Sequence, residues 1–227
     1  MAFSGQVLNN PISGERITFR KTAADTNGDL LAIELELSPD GHVPGAHVHP
    51  LQEERFEVLR GTMKFRKGLR TVTARAGDTV VVPPGTVHRF ENSGDAPAHV
   101  RVEVRPALRM EDLFEATVAL AQEGRTTASG MPFPLELALF MREFEAEVRA
   151  PFVPAAVVQA VMAPLAWMAR NRRLDARYRK PVPVSPKSRR DSRRPPAHPQ
   201  RHGAGGPESS GGSGATTTRP HNTRRPT

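Results

Sequence analysis

Short runs in which apolar and polar residues alternate fill the first half of the chain. The clearest run is 30–37, where Ile33, Leu35 and Leu37 share one face and glutamates lie on the other. A period of two is typical of a strand with one buried face. Similar runs lie at residues 15–21, 54–60, 62–66, 70–75, 79–83, 88–92 and 98–105. Turn signals such as Asn27-Gly28 separate the runs, so the pattern predicts roughly eight antiparallel strands in a sandwich closed into a barrel.

The residues predicted to point into this barrel are apolar. They are Ile33, Leu35, Phe56, Val58, Met63, Phe65, Phe90 and Val102. Such a set either fills a small barrel or surrounds a dry pocket that suits a hydrophobic or aromatic small molecule. The pattern alone fits both arrangements.

After Pro106 the period changes from that of a strand to that of a helix. Residues 109–123 predict a first helix, and residues 135–149 predict a second with its apolar stripe on one side. We expect both helices to pack on the outside of the barrel or across its mouth.

A third apolar segment, residues 153–169, holds 17 residues without a charge and is followed by a basic stretch. It is shorter than the roughly 20 residues of a membrane span and contains Gln159 and Pro164. Three interpretations remain open. The segment is a helix docked on the domain or on a dimer partner, or it contacts or crosses a membrane through residues 153–180, or it is only partly ordered.

Charge divides the chain into a mildly acidic body and a basic tail. The net charge is +8, but residues 171–227 hold 14 basic and 3 acidic side chains, a charge of +11, and residues 1–170 hold 18 and 21, a charge of −3. The predicted order is an N-terminal arm (1–14), a barrel (15–105), a helical extension (106–180) and a disordered tail (181–227). The tail is rich in Arg, Pro, Gly and Ser and has no interleaved aromatic residues, so no specific nucleic-acid binding is expected.

The composition also excludes several kinds of site. The chain has no Cys, which excludes a disulfide framework, a thiolate zinc site and a cysteine nucleophile. Its first residues, MAFSGQVLNN, lack a basic region followed by an apolar core. The sequence therefore predicts a cytoplasmic protein, with association through the third apolar segment as the alternative.

The candidate functional residues lie in two segments, residues 41–61 and 77–92. They are His47, His49, Glu54 and His88. His47 and His49 are two residues apart, so their side chains leave the same face of an extended strand. Glu54 has the inward parity of the apolar residues that follow it. Imidazole and carboxylate are good ligands for one divalent transition metal ion such as Fe, Mn, Ni, Cu or Zn. Four protein ligands would leave one or two positions for water, a substrate or dioxygen.

The two segments resemble the two motifs of the cupin superfamily. The first has Gly41, His-x-His at residues 47–49, four residues, Glu54, six residues and Gly61. The second has Gly77, the Pro-x-Gly of residues 83–85, His88 and Asn92. The resemblance implies a double-stranded β-helix, or jelly roll, with a helical C-terminal extension. It also implies that His47, His49, Glu54 and His88 are the metal ligands, and that the protein is a homodimer.

Neighbouring residues are weaker candidates. Glu53 has the wrong parity and the wrong distance to the closing glycine of the first motif. His99 is predicted to face away from the barrel, and His42 to lie at its rim or beside the ligands. We expect Asn92 and the motif glycines to be structural.

Two classes of function fit this sequence. The first is a metal-dependent enzyme acting on a small organic molecule, with oxidative cleavage resembling that of quercetinase-like cupins as the first reaction and isomerisation as the second. The sequence offers no acid or base beyond the ligand set, and no catalytic residue is identified from it. The alternative is a nonenzymatic metal-binding, small-molecule-binding or regulatory module, with the helices and tail as its output surface. In either class the barrel could be the soluble head of a membrane-associated protein.

Overall fold

The structure is a computed structural model that describes residues 2–151, 155–172 and 174–178. Within them, nine strands precede three helices, which confirms the prediction of a mainly β chain with a helical extension. The strands are β1 Val7–Asn10, β2 Glu15–Lys21, β3 Leu31–Leu37, β4 Glu53–Arg60, β5 Thr62–Lys67, β6 Arg70–Arg75, β7 Thr79–Val82, β8 His88–Asn92 and β9 Ala98–Arg105. The helices are α1 Met110–Gln122, α2 Pro134–Glu143 and α3 Ala155–Asn171, followed by a short 3₁₀ helix, Leu174–Tyr178. The disordered tail predicted for residues 181–227 lies outside the described residues.

The strands form two antiparallel sheets. The larger has the order β1-β2-β3-β9-β4-β7, and the smaller has the order β6-β5-β8. The loop before β4 runs beside β8, where His47 pairs with His88. Phe56 of the larger sheet lies 5.1 Å from Phe65 and 5.2 Å from Phe90 of the smaller sheet, measured between ring centroids. The two sheets therefore face each other across a shared apolar interior.

The residues predicted to point inward are all buried, with exposed fractions of 8 % or less. They are Ile33, Leu35, Phe56, Val58, Met63, Phe65, Phe90 and Val102. Their burial follows from the alternation along each strand, because residues two apart share a face of the sheet. The register agrees, since Ile33 lies opposite Val102 and Leu35 opposite Val100.

Gly61 allows the chain to pass from one sheet to the other. It lies between β4 in the larger sheet and β5 in the smaller one, with φ at +87°. A Cβ added there would lie 2.8 Å from the Ala98 Cα. Both the left-handed backbone and the close approach require glycine, so this closing glycine of the first motif is structural, as expected.

The sequence pattern did not indicate β1. It predicted a turn-rich arm for residues 1–14, but Val7–Asn10 pairs with β2, placing Val7 opposite Thr18. This strand has no alternation of its own because it lies at the sheet edge, with Val7 exposed. Its position is set by pairing with β2.

The first two helices differ in how well the sequence predicted them. α1 spans Met110–Gln122, so it begins one residue after the start of the predicted range, 109–123, and ends one residue before its end. The prediction for α2 was wrong at its C-terminal end, because the helix stops at Glu143. The apolar spacing of Phe144 and Val148 continued the helical pattern, but the backbone there turns, and Arg149 pairs with Val48.

α3 is docked on α2, which confirms the first of the three interpretations for the described part of that segment. Ala166 and Ala169 are fully buried in a cluster with Ala138 and Leu139 of α2. Trp167, elsewhere on the same helix, is exposed. None of the helices in the described residues is long and apolar enough to cross a membrane. Contact with a membrane surface stays a prediction.

Candidate metal centre

Four side chains from three parts of the fold converge inside the barrel. His47 and His49 come from the loop before β4, Glu54 is the second residue of β4, and His88 is the first residue of β8. Their nearest ligand atoms all lie within 4.8 Å of one another. The structure thus brings together all four residues that the sequence singled out. We call them the His₃Glu cluster.

Backbone pairing places the two motifs side by side. The His47 N–H donates to the His88 carbonyl oxygen at 3.0 Å, and the His88 N–H donates to the His47 carbonyl oxygen at 2.9 Å. The Gly85 N–H of the second motif donates to the His49 carbonyl oxygen at 2.8 Å. The positions of these three histidines relative to each other are therefore fixed by main-chain hydrogen bonds.

Each histidine uses one ring nitrogen to contact a backbone carbonyl. The Nδ1 of His47 lies 2.9 Å from the Gly45 carbonyl oxygen, and that of His88 lies 3.0 Å from the Thr86 carbonyl oxygen. The Nδ1 of His49 contacts the carbonyl oxygen of Glu147. Since a carbonyl oxygen only accepts, each Nδ1 carries the proton and donates. In the neutral form of each imidazole, Nε2 is then left with a lone pair, as metal-ligating histidines require.

The atoms that face the centre of the cluster have no hydrogen-bond partner in the described protein. His49 Nε2, His88 Nε2 and Glu54 Oε2 are buried and unpaired. His88 Nε2 and Glu54 Oε2 lie 2.7 Å apart, without hydrogen-bond geometry. Buried lone pairs this close repel each other unless a proton or a cation lies between them. The donor set fits a divalent transition metal ion.

Burial and mutual contact shift the protonation of the cluster. Burial, together with the charges of the other two imidazoles, lowers the pKa of His47 to about 3. Burial also acts to raise the pKa of Glu54, but the three histidines outweigh it and lower the value to about 2. Burial acts to lower the pKa of His88, but its contact with the Glu54 carboxylate raises it above the usual range. Glu54 is therefore a carboxylate and His47 a neutral imidazole at neutral pH.

A cavity of about 500 Å³ lies beside the cluster. His47, His49 and Glu54 form part of its wall, and α1, α2 and α3 line it as well. Five residues of the predicted inward set line the cavity: Ile33, Leu35, Phe56, Phe90 and Val102. The other three, Val58, Met63 and Phe65, belong to the packed core. The barrel interior is thus partly filled and partly open beside the cluster.

Two features of the site were not predicted from the sequence. Glu15 lines the cavity, contrary to the expectation of no acid or base beyond the ligand set. Burial raises its pKa, and a hydrogen bond of 2.6 Å from the Ser13 hydroxyl opposes that effect. Its parity with Ile17 and Phe19 indicates the inward face. The second feature is the contact of His49 with Glu147, 98 residues away, for which the sequence carries no signal.

The weaker candidates lie outside the cluster. Glu53 is exposed on the opposite face of β4. His99 Nε2 contacts Glu34 at 3.2 Å, and His42 Nδ1 contacts the Asp40 carbonyl oxygen at 3.0 Å. The Asn92 side-chain amide donates to the carbonyl oxygens of Leu37, Ser38 and Ala96, which is a structural role, as expected. The three histidines of the basic tail, His198, His202 and His221, lie outside the described residues.

Comparison with known proteins identifies a family for the barrel. The family described as Cupin domain matches residues 33–104, which include all four residues of the cluster. Germin-like protein 1-1 of Oryza sativa subsp. japonica is 29% identical over 121 residues, covering 50% of this chain and 55% of that protein. Germin-like protein 5-1 of the same organism is 35% identical over 80 residues, 31% of this chain and 36% of that protein. The chain thus matches about half, or less, of the length of these relatives.

Two solved structures are similar at low sequence identity. A predicted oxalate decarboxylase from Thermotoga maritima is 21% identical, with a TM-score of 0.40 over 44% of this chain and 90% of that chain. An RmlC-like cupin from Shewanella frigidimarina is 17% identical, with a TM-score of 0.41 over 49% of this chain and 94% of that chain.

Proposed function

Because this chain belongs to the cupin superfamily through its residues 33–104, we propose that the barrel is a metal-dependent active site. The site would hold one divalent transition metal ion through His47, His49, Glu54 and His88 and act on a small organic molecule in the adjoining cavity. A dioxygenase-like oxidation is the first reaction we propose, and an isomerisation is the second.

The observation that carries this proposal is the convergence of buried, unpaired donor atoms beside a cavity. A buried polar atom without a partner destabilises the fold by about 1–3 kcal/mol, and three such atoms lie together in the cluster. A bound cation would satisfy all of them at once. The ion would supply Lewis-acid and redox chemistry. The chain would supply the orientation of its ligands and a largely apolar surrounding.

Glu15 extends the proposal beyond metal binding. Its carboxyl group lines the same cavity, and the raised pKa favours its protonated form more than in water. A carboxyl group in this position could hold a proton or exchange one with a bound molecule. Glu15 supports the enzyme over a nonenzymatic binding module, which remains the second candidate.

Metal content per chain tests the proposal. We expect about one ion per chain in freshly purified or reconstituted protein by elemental analysis, and loss of that ion in His47→Ala and His88→Ala. His99→Ala is the matched control, because this histidine lies outside the cluster. Wild-type protein that binds no ion after reconstitution would contradict the assignment.

Activity is tested separately from metal binding. Oxygen consumption and conversion of the substrate are both measured with a panel of small organic molecules under air, with the metal-loaded wild type, the metal-free wild type and Glu15→Gln. Metal-dependent consumption that falls in Glu15→Gln while metal content is unchanged supports an enzyme. Metal binding without turnover of any substrate favours the binding module.

A further inference from the structure

We propose that the cavity binds an amphiphile with a hydrocarbon body and a single anionic oxygen group, such as a medium-chain monocarboxylate. This inference rests on the proposed function, because the anionic group would be held at the metal ion of the His₃Glu cluster. It narrows the ligand from small organic molecules in general to one chemical class.

The polar groups of the cavity wall are few. Apart from the cluster itself, the described lining offers only the polar side chains of Glu15, Thr117 and Arg149. The Thr117 hydroxyl already donates to the Leu113 carbonyl oxygen at 2.8 Å. Arg149 is exposed, and its Nε donates to the Glu145 carbonyl oxygen at 3.0 Å. The wall therefore has little to offer a ligand that carries several hydroxyl groups.

This scarcity disfavours sugars and polyphenols. A hydroxyl group that enters an apolar wall loses its water partners, and each one left without a new partner lowers affinity by about tenfold. A hydrocarbon body has no such groups and gains affinity from the apolar surface that it covers. The favoured ligand therefore has its polar atoms at the cluster only.

Charge limits the ligand to one anionic group. A divalent ion with one carboxylate ligand keeps a net positive charge, so an anionic oxygen is favoured at the cluster. Away from the cluster, Arg149 is the one cation of the described lining, and it is exposed with its Nε already donating to the Glu145 carbonyl oxygen. A second anion in the buried part of the cavity would therefore lie in apolar surroundings, and Glu15 would add repulsion or require a proton. A molecule with a second carboxylate should therefore bind more weakly.

The lining also indicates an elongated ligand. The cavity of about 500 Å³ is lined by the buried barrel residues Ile33 and Leu35, by Leu113 of α1, and by Val157 and Val161 of α3. Val157 and Val161 are about half exposed, so the cavity opens to solvent at α3. A chain held by its anionic end at the cluster can extend through the apolar part toward this opening. The volume is in the range of pockets for drug-sized ligands.

The test compares two ligands of equal length on the full chain. The protein is loaded with zinc, which has no redox chemistry and so prevents oxidative turnover. Zinc content and the binding of decanoate and of sebacate are then measured, the latter two by calorimetry. We expect one decanoate per chain, sebacate binding at least about tenfold more weakly, and loss of decanoate binding in metal-free protein.

The outcomes separate this inference from the proposed function. One zinc ion per chain with no decanoate binding, or with equal affinity for sebacate, overturns the ligand class and leaves the metal site standing. Decanoate binding that is unchanged without metal overturns the anchoring of the anion. Failure to bind any metal overturns both.

A cavity-filling variant locates the bound chain. We expect Leu113→Trp to lower decanoate affinity by at least about tenfold with zinc content unchanged. Leu69→Trp is the matched control, because Leu69 is exposed in the turn between β5 and β6. Should Leu113→Trp not hold zinc, Met141→Trp on α2 fills the same cavity. Unchanged decanoate affinity in a zinc-loaded variant would place the ligand elsewhere and contradict the proposal.

Discussion

The barrel and the helical extension hold the histidines of the cluster in different ways. His47 and His88 are oriented locally, each by the carbonyl of the residue two positions earlier, Gly45 and Thr86. His49 is oriented by the carbonyl of Glu147, which follows α2. The barrel alone therefore orients three of the four donors, His47, Glu54 and His88, and the remaining imidazole, His49, depends on a segment that is remote in sequence.

This difference indicates that the extension belongs to the metal site as well as to the cavity wall. The contact of His49 with the Glu147 carbonyl is supported by two backbone hydrogen bonds between Val48 and Arg149, at 3.1 and 2.9 Å. The Glu147 carboxylate in turn accepts from the Arg109 N–H at the start of α1, at 3.1 Å. A substitution in the helical extension should therefore alter metal binding by changing the orientation of His49.

The largest expected effect comes from Glu54→Gln, which removes the only carboxylate of the cluster. Outer partners of metal ligands already contribute 10–100-fold to affinity, so loss of this ligand should lower metal affinity by at least about 100-fold. Equilibrium dialysis against cobalt(II) measures the change. Glu53→Gln is the matched control, because Glu53 is exposed on the other face of β4. Equal losses in both variants would show that the effect is one of overall charge.

An intermediate effect is expected from pH on the metal-free protein. His47 keeps its neutral form in the folded state down to a pKa of about 3, whereas in the unfolded chain it takes a proton near pH 6.5. Its folded pKa is lower, so the folded state loses stability as pH falls from about 6.5 toward about 3. Glu54, with a pKa of about 2, adds a loss in the same direction below about pH 4.5.

The contribution of His88 to the pH dependence of stability has the opposite sign. Its raised pKa adds stability that is present below the unfolded value and lost as pH rises through the folded value. Urea unfolding of the metal-free protein should therefore show a net loss of stability as pH falls from about 6.5 toward about 3, and a smaller loss in His47→Ala. An identical acid dependence in the variant would contradict the role of His47.

The smallest expected effect on metal affinity comes from a substitution in the helical extension alone. Arg149→Pro removes the N–H that donates to the Val48 carbonyl oxygen at 2.9 Å, whereas Arg149→Ala keeps it. We expect cobalt(II) affinity to fall by about tenfold in the proline variant and to change little in the alanine variant. If both variants keep wild-type affinity, His49 does not depend on this pairing.

The barrel could be predicted well from the sequence because the patterns that indicate it lie within short segments of the chain. Alternation along each strand located the interior, and motif spacing located all four residues of the cluster. The end of α2 could not be predicted in this way, because Phe144 and Val148 keep a helical spacing while the backbone leaves the helix to pair with Val48. The strand Val7–Asn10 and the contact of His49 with Glu147 depend on pairing between segments, which leaves no period in the sequence.

The measurement that tests the metal site most directly is X-ray absorption of the full chain loaded with one equivalent of cobalt(II). We expect a coordination shell that contains about three imidazole nitrogens and a carboxylate oxygen, with one imidazole fewer in His49→Ala. A shell made of oxygen donors alone, or one that is unchanged in His49→Ala, would contradict it.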